Sequence, residues 1–183
     1  LNIPQAVSYW LMPDQQSEPA LERLSDCAQQ QMNGCRLPPH ITLYSDHLDS
    51  PERAIERLVA TADQQPPIRL QPQAIEAGAL FTQSLVIRFS VEAREQAAHA
   101  ALQTCCEHLR QRSANALGYR LDPHLSLLYS HDALPIRQAC ATALIPPATC
   151  LRFDRISAVS HPLRIQTIDD IAAFTTLTTQ QLN

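Results

Sequence analysis

Glycine is scarce in this chain: its 183 residues include 3 glycines against 14 prolines. Its turns are therefore set mainly by proline. No apolar run approaches the roughly 18 to 20 residues that cross a bilayer, and the first residues lack a basic stretch leading into an apolar one. This reads as a soluble, cytoplasmic protein with no membrane partner. Nor is there any block of five or six like charges, and the 14 basic residues are outnumbered by 18 acidic ones, for a net charge of −4. A long nucleic-acid duplex, whose phosphates call for a basic stripe, is excluded as a partner. One small phosphorylated ligand is not. The six cysteines form no C-x-x-C pair, which removes zinc ribbons and thioredoxin-type sites and leaves core thiols as the reading.

What remains is enough for one domain with a substantial core. Ala6 to Met12 reads as a strand ending at Pro13. Ser17-Glu-Pro-Ala opens a helix with Leu21, Leu24, Cys27 and Ala28 on one face, and Asn33-Gly34 is expected to end it. Residues 40 to 44 alternate as a strand, and Ser50-Pro51-Glu52 opens a second helix. Ile68 to Ala77 and Leu80 to Val91 read as a long hairpin joined at Gly78. A third helix is expected over 93–113, with Ala97, Ala101, Leu102, Cys105 and Leu109 inward. His124 to Tyr129 is another strand, Pro135 opens a shorter helix, and 150–160 and 171–179 look extended. The order strand, helix, histidine-bearing strand thus occurs twice. An α+β fold follows, with two related lobes whose antiparallel sheets face a central cleft and whose helices lie outside; residues 1–183 form a single bilobal domain.

The histidine strands carry the chemistry. "LPPHITL" and "DPHLSLL" both read Pro-His-apolar-hydroxyl-apolar, and their histidines lie 84 positions apart, about half the chain. His-apolar-hydroxyl-apolar is expected roughly 0.2 times by chance in a chain of this composition, so two copies, each after proline, are informative. Along a strand His40 and Thr42 share one face, as do His124 and Ser126, with aliphatics on the other. A cleft lined by two imidazoles and two hydroxyls holds what cleavage of a phosphodiester requires: a base, an acid, and donors to the non-bridging oxygens. Histidine suits both proton roles near neutral pH. No metal is required, and two histidines without a pattern such as His-x-x-x-His make a poor divalent site. His47, His99, His108, His131 and His161 begin no such motif and are read as exposed or structural.

At these residues the chain resembles the two-histidine (2H) phosphoesterase superfamily, and within it the cyclic phosphodiesterases of plant and yeast type, through residues 8–19, 37–43 and 122–130 and more weakly 78–87. The resemblance implies hydrolysis of small cyclic phosphates, ADP-ribose 1″,2″-cyclic phosphate or nucleoside 2′,3′-cyclic phosphates, the latter opened to 2′-phosphates, by a monomer needing no cofactor. It assigns catalysis to His40, Thr42, His124 and Ser126, leaving open which histidine is base and which acid. It also points to Trp10 and Tyr129 as contacts to the nucleoside part, and Phe81, on one face of an expected hairpin strand, is a weaker candidate for the same role. Strict alternation places Tyr129 on the face opposite the histidine, so it reaches the cleft only if the strand ends or bulges there. Two other readings stand beside this one. One is an RNA-processing enzyme acting on 2′,3′-cyclic ends or 2′-5′ linkages, which calls for a basic groove. The other is a catalytically silent nucleotide-binding protein.

Overall fold

The computed structural model describes residues 4–113 and 118–183. Eight antiparallel strands and five α-helices follow in the order β1 (Gln5–Pro13), α1 (Glu18–Gln29), β2 (Ile41–His47), α2 (Pro51–Ala62), β3 (Ile68–Leu70), β4 (Pro72–Glu76), β5 (Leu85–Phe89), α3 (Gln96–Gln111), β6 (His124–Leu128), α4 (Leu134–Ala143), β7 (Leu151–Pro162), α5 (Ile168–Ala172) and β8 (Thr175–Gln181). The strand order is β3-β7-β1-β2-β6-β5-β4, with β8 also on β7.

The expected duplication is present in the backbone: β1-α1-β2 and β5-α3-β6 are each an antiparallel strand pair linked through a helix. The two pairs even share an irregularity. In the first, Tyr9 faces Tyr44 but Trp10 faces Thr42, so Leu43 is an extra residue. In the second, Leu85 faces Leu128 but Val86 faces Ser126, so Leu127 is the extra residue. A bulge therefore follows the motif hydroxyl in both halves.

Several sequence expectations are corrected. The stretch 68–77 is not one strand: it divides at Gln71 into β3 and β4, which lie at opposite ends of the sheet order. One intervening residue spans only a few ångströms, so the sheet curls until its ends meet, and Gln71 accepts a backbone hydrogen bond from Ser90 at 2.8 Å. The expected strand from Leu80 begins only at Leu85, because Phe81–Gln83 is a 3-10 turn that follows Gly78. A Cβ at Gly78 would sit 2.1 Å from the Gln83 carbonyl oxygen, so this close approach excludes any side chain. Helix α1 stops at Gln29 rather than at Asn33-Gly34; Gly34 instead lets its segment approach β6, since a Cβ there would fall 2.5 Å from the Tyr129 carbonyl oxygen. In α3 the inward face is Leu102, Cys105, Cys106 and Leu109, with Ala98 and Ala101 beside it, and Ala97 points to solvent. Residues 171 and 172, the start of the expected C-terminal strand, belong instead to helix α5, which Thr167 and Asp170 open with a reciprocal cap. Cys105, Cys106 and Cys140 are buried as expected of core thiols, whereas Cys27 and Cys150 are exposed.

Candidate active site

Strands β2 and β6 touch through a single register pair, Ile41 with Leu125. Antiparallel geometry carries that register one step each way, setting His40 across from Ser126 and Thr42 across from His124. The two motifs therefore meet about a local dyad. Ile41 and Leu125 are buried beneath it, and the polar side chains open into a cleft of about 300 Å³.

The two histidines are held alike. His40 Nδ1 donates to the Pro38 carbonyl at 2.7 Å, and His124 Nδ1 donates to the Asp122 carbonyl at 2.7 Å. Each acceptor lies two residues upstream, with proline between. Proline fixes its own φ and biases the residue before it to an extended backbone, which aims that carbonyl back at the imidazole. This accounts for Pro-His occurring twice. With Nδ1 engaged, Nε2 is the nitrogen left for the cleft.

Their surroundings differ. His40 is nearly inaccessible, and the Trp10 indole stacks on it with ring centroids 3.7 Å apart. Burial holds its pKa down at about 4, with the positive ends of His124 and His161 acting the same way against the Pro38 hydrogen bond. Burial also lowers the pKa of His124, but there the Asp122 carbonyl and carboxylate oppose it, the carboxylate 3.4 Å from Nδ1. Arg88 in turn pairs with Asp122 at 2.7 Å and with Glu76 at 3.1 Å.

The hydroxyls are also unequal. Ser126 donates to the Thr82 carbonyl at 3.0 Å. The Thr42 hydroxyl has no protein partner among the described residues and is free to donate into the cleft.

Tyr129 reaches the cleft. The bulge supplies the reason: Leu127 and Leu128 both turn into the core, which brings the next residue back to the motif's face. Its hydroxyl lies against Ser126, and burial pushes its pKa up to about 12. Trp10 lines the cleft too, with one ring face already covered by His40. Phe81 does not line it. The 3-10 turn directs its ring outward against His131, with centroids 4.4 Å apart, and presents Thr82 and Gln83 to the cleft instead.

His161 and Arg120 are among the cleft residues that the sequence reading did not place there. His161, read from the sequence as exposed or structural, is buried on β7 and lines the cleft. Its signal was faint, a histidine before proline at the end of an alternating strand, without a hydroxyl two residues on. Arg120 also lines the cleft, exposed and without an ion-pair partner among the described residues.

Residues 12–162 match the model of the 2′-5′ RNA ligase superfamily. The chain belongs to this family of two-histidine phosphoesterases. At the family level this is phosphodiester hydrolysis and ligation, a phosphoesterase activity. Solved structures of similar fold include Escherichia coli LigT complexed with 3′-AMP, at 15% identity over 99% of both chains with a TM-score of 0.59. TT0787 of Thermus thermophilus is 15% identical over 97% of each chain, with a TM-score of 0.56. Usb1 of Kluyveromyces marxianus is 12% identical, covering 96% of this chain and 98% of its own, with a TM-score of 0.52. No curated protein matches the chain by sequence. At these identities the likeness is one of fold, and it agrees with the α+β architecture expected from the sequence.

Proposed function

We propose that the protein opens small cyclic phosphates, nucleoside 2′,3′-cyclic phosphates or ADP-ribose 1″,2″-cyclic phosphate, with His40 as general base and His124 as general acid. The carrying observation is the matched pair of 2.7 Å hydrogen bonds from Nδ1 to backbone carbonyls, which leaves both Nε2 atoms for one cleft. In the step, water attacks phosphorus and gives its proton to His40 Nε2. The bond from phosphorus to the 3′ oxygen breaks, and His124 Nε2 delivers a proton to that oxygen, leaving the 2′-phosphate. Thr42 donates to a non-bridging oxygen, and Ser126 joins it once its hydroxyl turns from the Thr82 carbonyl. The roles follow from environment. His40, buried and low in pKa, is the imidazole held neutral, while the Asp122 carboxylate favours the protonated form of His124. An arriving phosphate anion strengthens that tendency. No step calls for a metal.

The size of the cleft, about 300 Å³, suits one nucleotide better than a strand. Arg120 is the one arginine or lysine among the described residues that line the cleft, which supports a small ligand over a strand that calls for a basic groove. That LigT was solved with 3′-AMP supports a nucleotide ligand. The second reading, cleavage of 2′-5′ linkages or RNA 2′,3′-cyclic ends, is favoured by the family's name.

The test follows both cyclic phosphates by phosphorus NMR with EDTA present. His40→Ala and His124→Ala are each expected to lose about 10²- to 10⁴-fold. A substrate with sulfur in place of the leaving oxygen needs no acid; it restores His124→Ala and leaves His40→Ala impaired, and the reverse pattern would exchange the roles. Turnover of a 2′-5′-linked dinucleotide alone would move the assignment to the second reading. Binding without turnover of anything would identify a silent binder.

A further inference from the structure

A chain of three hydrogen-bonding side chains lines the cleft on the first-half side, outside the motif residues. His161 Nδ1 lies 2.8 Å from the Pro162 carbonyl oxygen, and its Nε2 lies 2.7 Å from Ser8 Oγ. Ser8 Oγ lies 2.7 Å from Ser45 Oγ. All three residues line the cleft, and Ser8 and His161 are buried.

The proton directions in this chain are forced. A carbonyl only accepts, so Nδ1 carries the imidazole proton. His161 is buried, with burial lowering its pKa, so its Nε2 is a bare acceptor. Ser8 must then give its one proton to Nε2 and can only accept from Ser45. Ser45 spends its own proton on Ser8. What it turns to the cleft is an oxygen with open lone pairs and no proton to offer.

The bulge after Thr42 places this oxygen. Leu43 and Tyr44 both enter the core, which returns Ser45 to the histidine face, the position that Tyr129 holds in the second half. Trp10 and Phe174 lie between His161 and His40 as a run of ring contacts, 3.7, 5.8 and 4.8 Å between successive centroids. The chain therefore sits in the same cleft as the motif histidines, to one side of them.

We infer that Ser45, polarised through Ser8 by His161, forms a subsite that accepts a hydrogen bond from a neutral donor on the ligand, a sugar hydroxyl or an exocyclic amine, and disfavours an anionic oxygen. This rests on the proposed cyclic phosphate reading and adds to it the orientation of the substrate. The phosphate lies at the motif histidines and the donor end at Ser45. A half-buried acceptor left unpaired by an analogue lacking the donor costs discrimination of the kind hydrogen-bonding sites show.

The test compares kcat/KM for adenosine 2′,3′-cyclic phosphate with its 5′-deoxy analogue and with the purine riboside analogue that lacks the amine. The wild-type protein discriminates roughly tenfold or more against one of the two, which identifies the donor as hydroxyl or amine. Ser45→Ala turns over the parent more slowly, through KM, and no longer distinguishes it from that analogue. Ser45→Thr keeps the hydroxyl and keeps the discrimination. Melting curves of both variants report whether the fold is retained, and His161→Phe, which keeps a ring against Phe174, removes the same discrimination by a second route. Equal use of all three substrates by the wild-type protein, or discrimination that persists in Ser45→Ala, overturns the subsite. Absence of turnover with every substrate overturns instead the cyclic phosphate reading on which it rests.

Discussion

The Trp10 indole lies on the His40 imidazole with ring planes 10° from parallel and centroids 3.7 Å apart. Two effects of the stack oppose one another. The indole face attracts an imidazolium, by about 0.5 to 1 kcal/mol or less than one pKa unit, and it excludes water, which disfavours the charge. Exclusion wins, since His40 titrates near 4 rather than 6.5. Trp10→Leu opens that face to water, so the His40 pKa is expected to rise towards 6.5 in a proton NMR titration of the ring resonances. No upward movement would mean that the surrounding strands, and not Trp10, dehydrate the imidazole.

The pH dependence of kcat/KM follows from the two histidines. In the free protein the proposed mechanism needs His40 neutral and His124 protonated. His40 loses its proton above about 4, and His124 holds its proton only below a pKa that lies under 6.5. The profile is therefore a bell centred in mild acid, with its alkaline limb below the ordinary histidine value. Asp122→Asn removes the charge that favours the imidazolium and is expected to move that limb to still lower pH. A profile flat from pH 5 to 8 would contradict the assignment.

Folding stability carries the same signature. An unfolded histidine titrates near 6.5 and the buried His40 near 4, so between these values the unfolded chain binds the extra proton. Stability is then fully present above about 6.5 and is lost as pH falls towards 4, by on the order of 2 kcal/mol at pH 5. Urea unfolding at pH 7 and pH 5 measures the loss, and His40→Gln, which does not titrate, should reduce the difference by about that amount.

The turn beneath the cleft gives a prediction from sterics alone. Gly78→Ala would place its Cβ 2.1 Å from the Gln83 carbonyl oxygen, so the Phe81–Gln83 turn must shift. That turn provides the Thr82 carbonyl that receives the Ser126 proton. A cost of about 1 to 3 kcal/mol lowers the melting temperature by several degrees. An unchanged melting temperature would show that the turn yields freely.

The sequence disclosed the site better than the sheet. The two motifs were legible because each requires a histidine, a hydroxyl and flanking aliphatics at fixed spacing, and proline marked both. The helices α1, α2 and α4 were legible through proline near their starts. What could not be read was register. The one-residue change of sheet end at Gln71 leaves no local mark, and the bulges at Leu43 and Leu127 look like ordinary apolar positions. Those bulges decide whether Ser45 and Tyr129 face the cleft. His161 reaches it only through the pairing of β7 with β1, a contact between Ala6 and His161 that no local pattern announces.

That last pairing governs how the protein is made. Strand β1 lies between β2 and β7, and its buried residues Val7, Tyr9 and Leu11 need both neighbours. During synthesis β2 emerges soon after β1, but β7 comes only from residues 151–162. Until then the apolar first strand has one side without hydrogen-bond partners, an open edge of the kind that recruits other chains. The nascent polypeptide therefore carries β1 half paired until residues 151–162 have emerged, and β7 is what closes it.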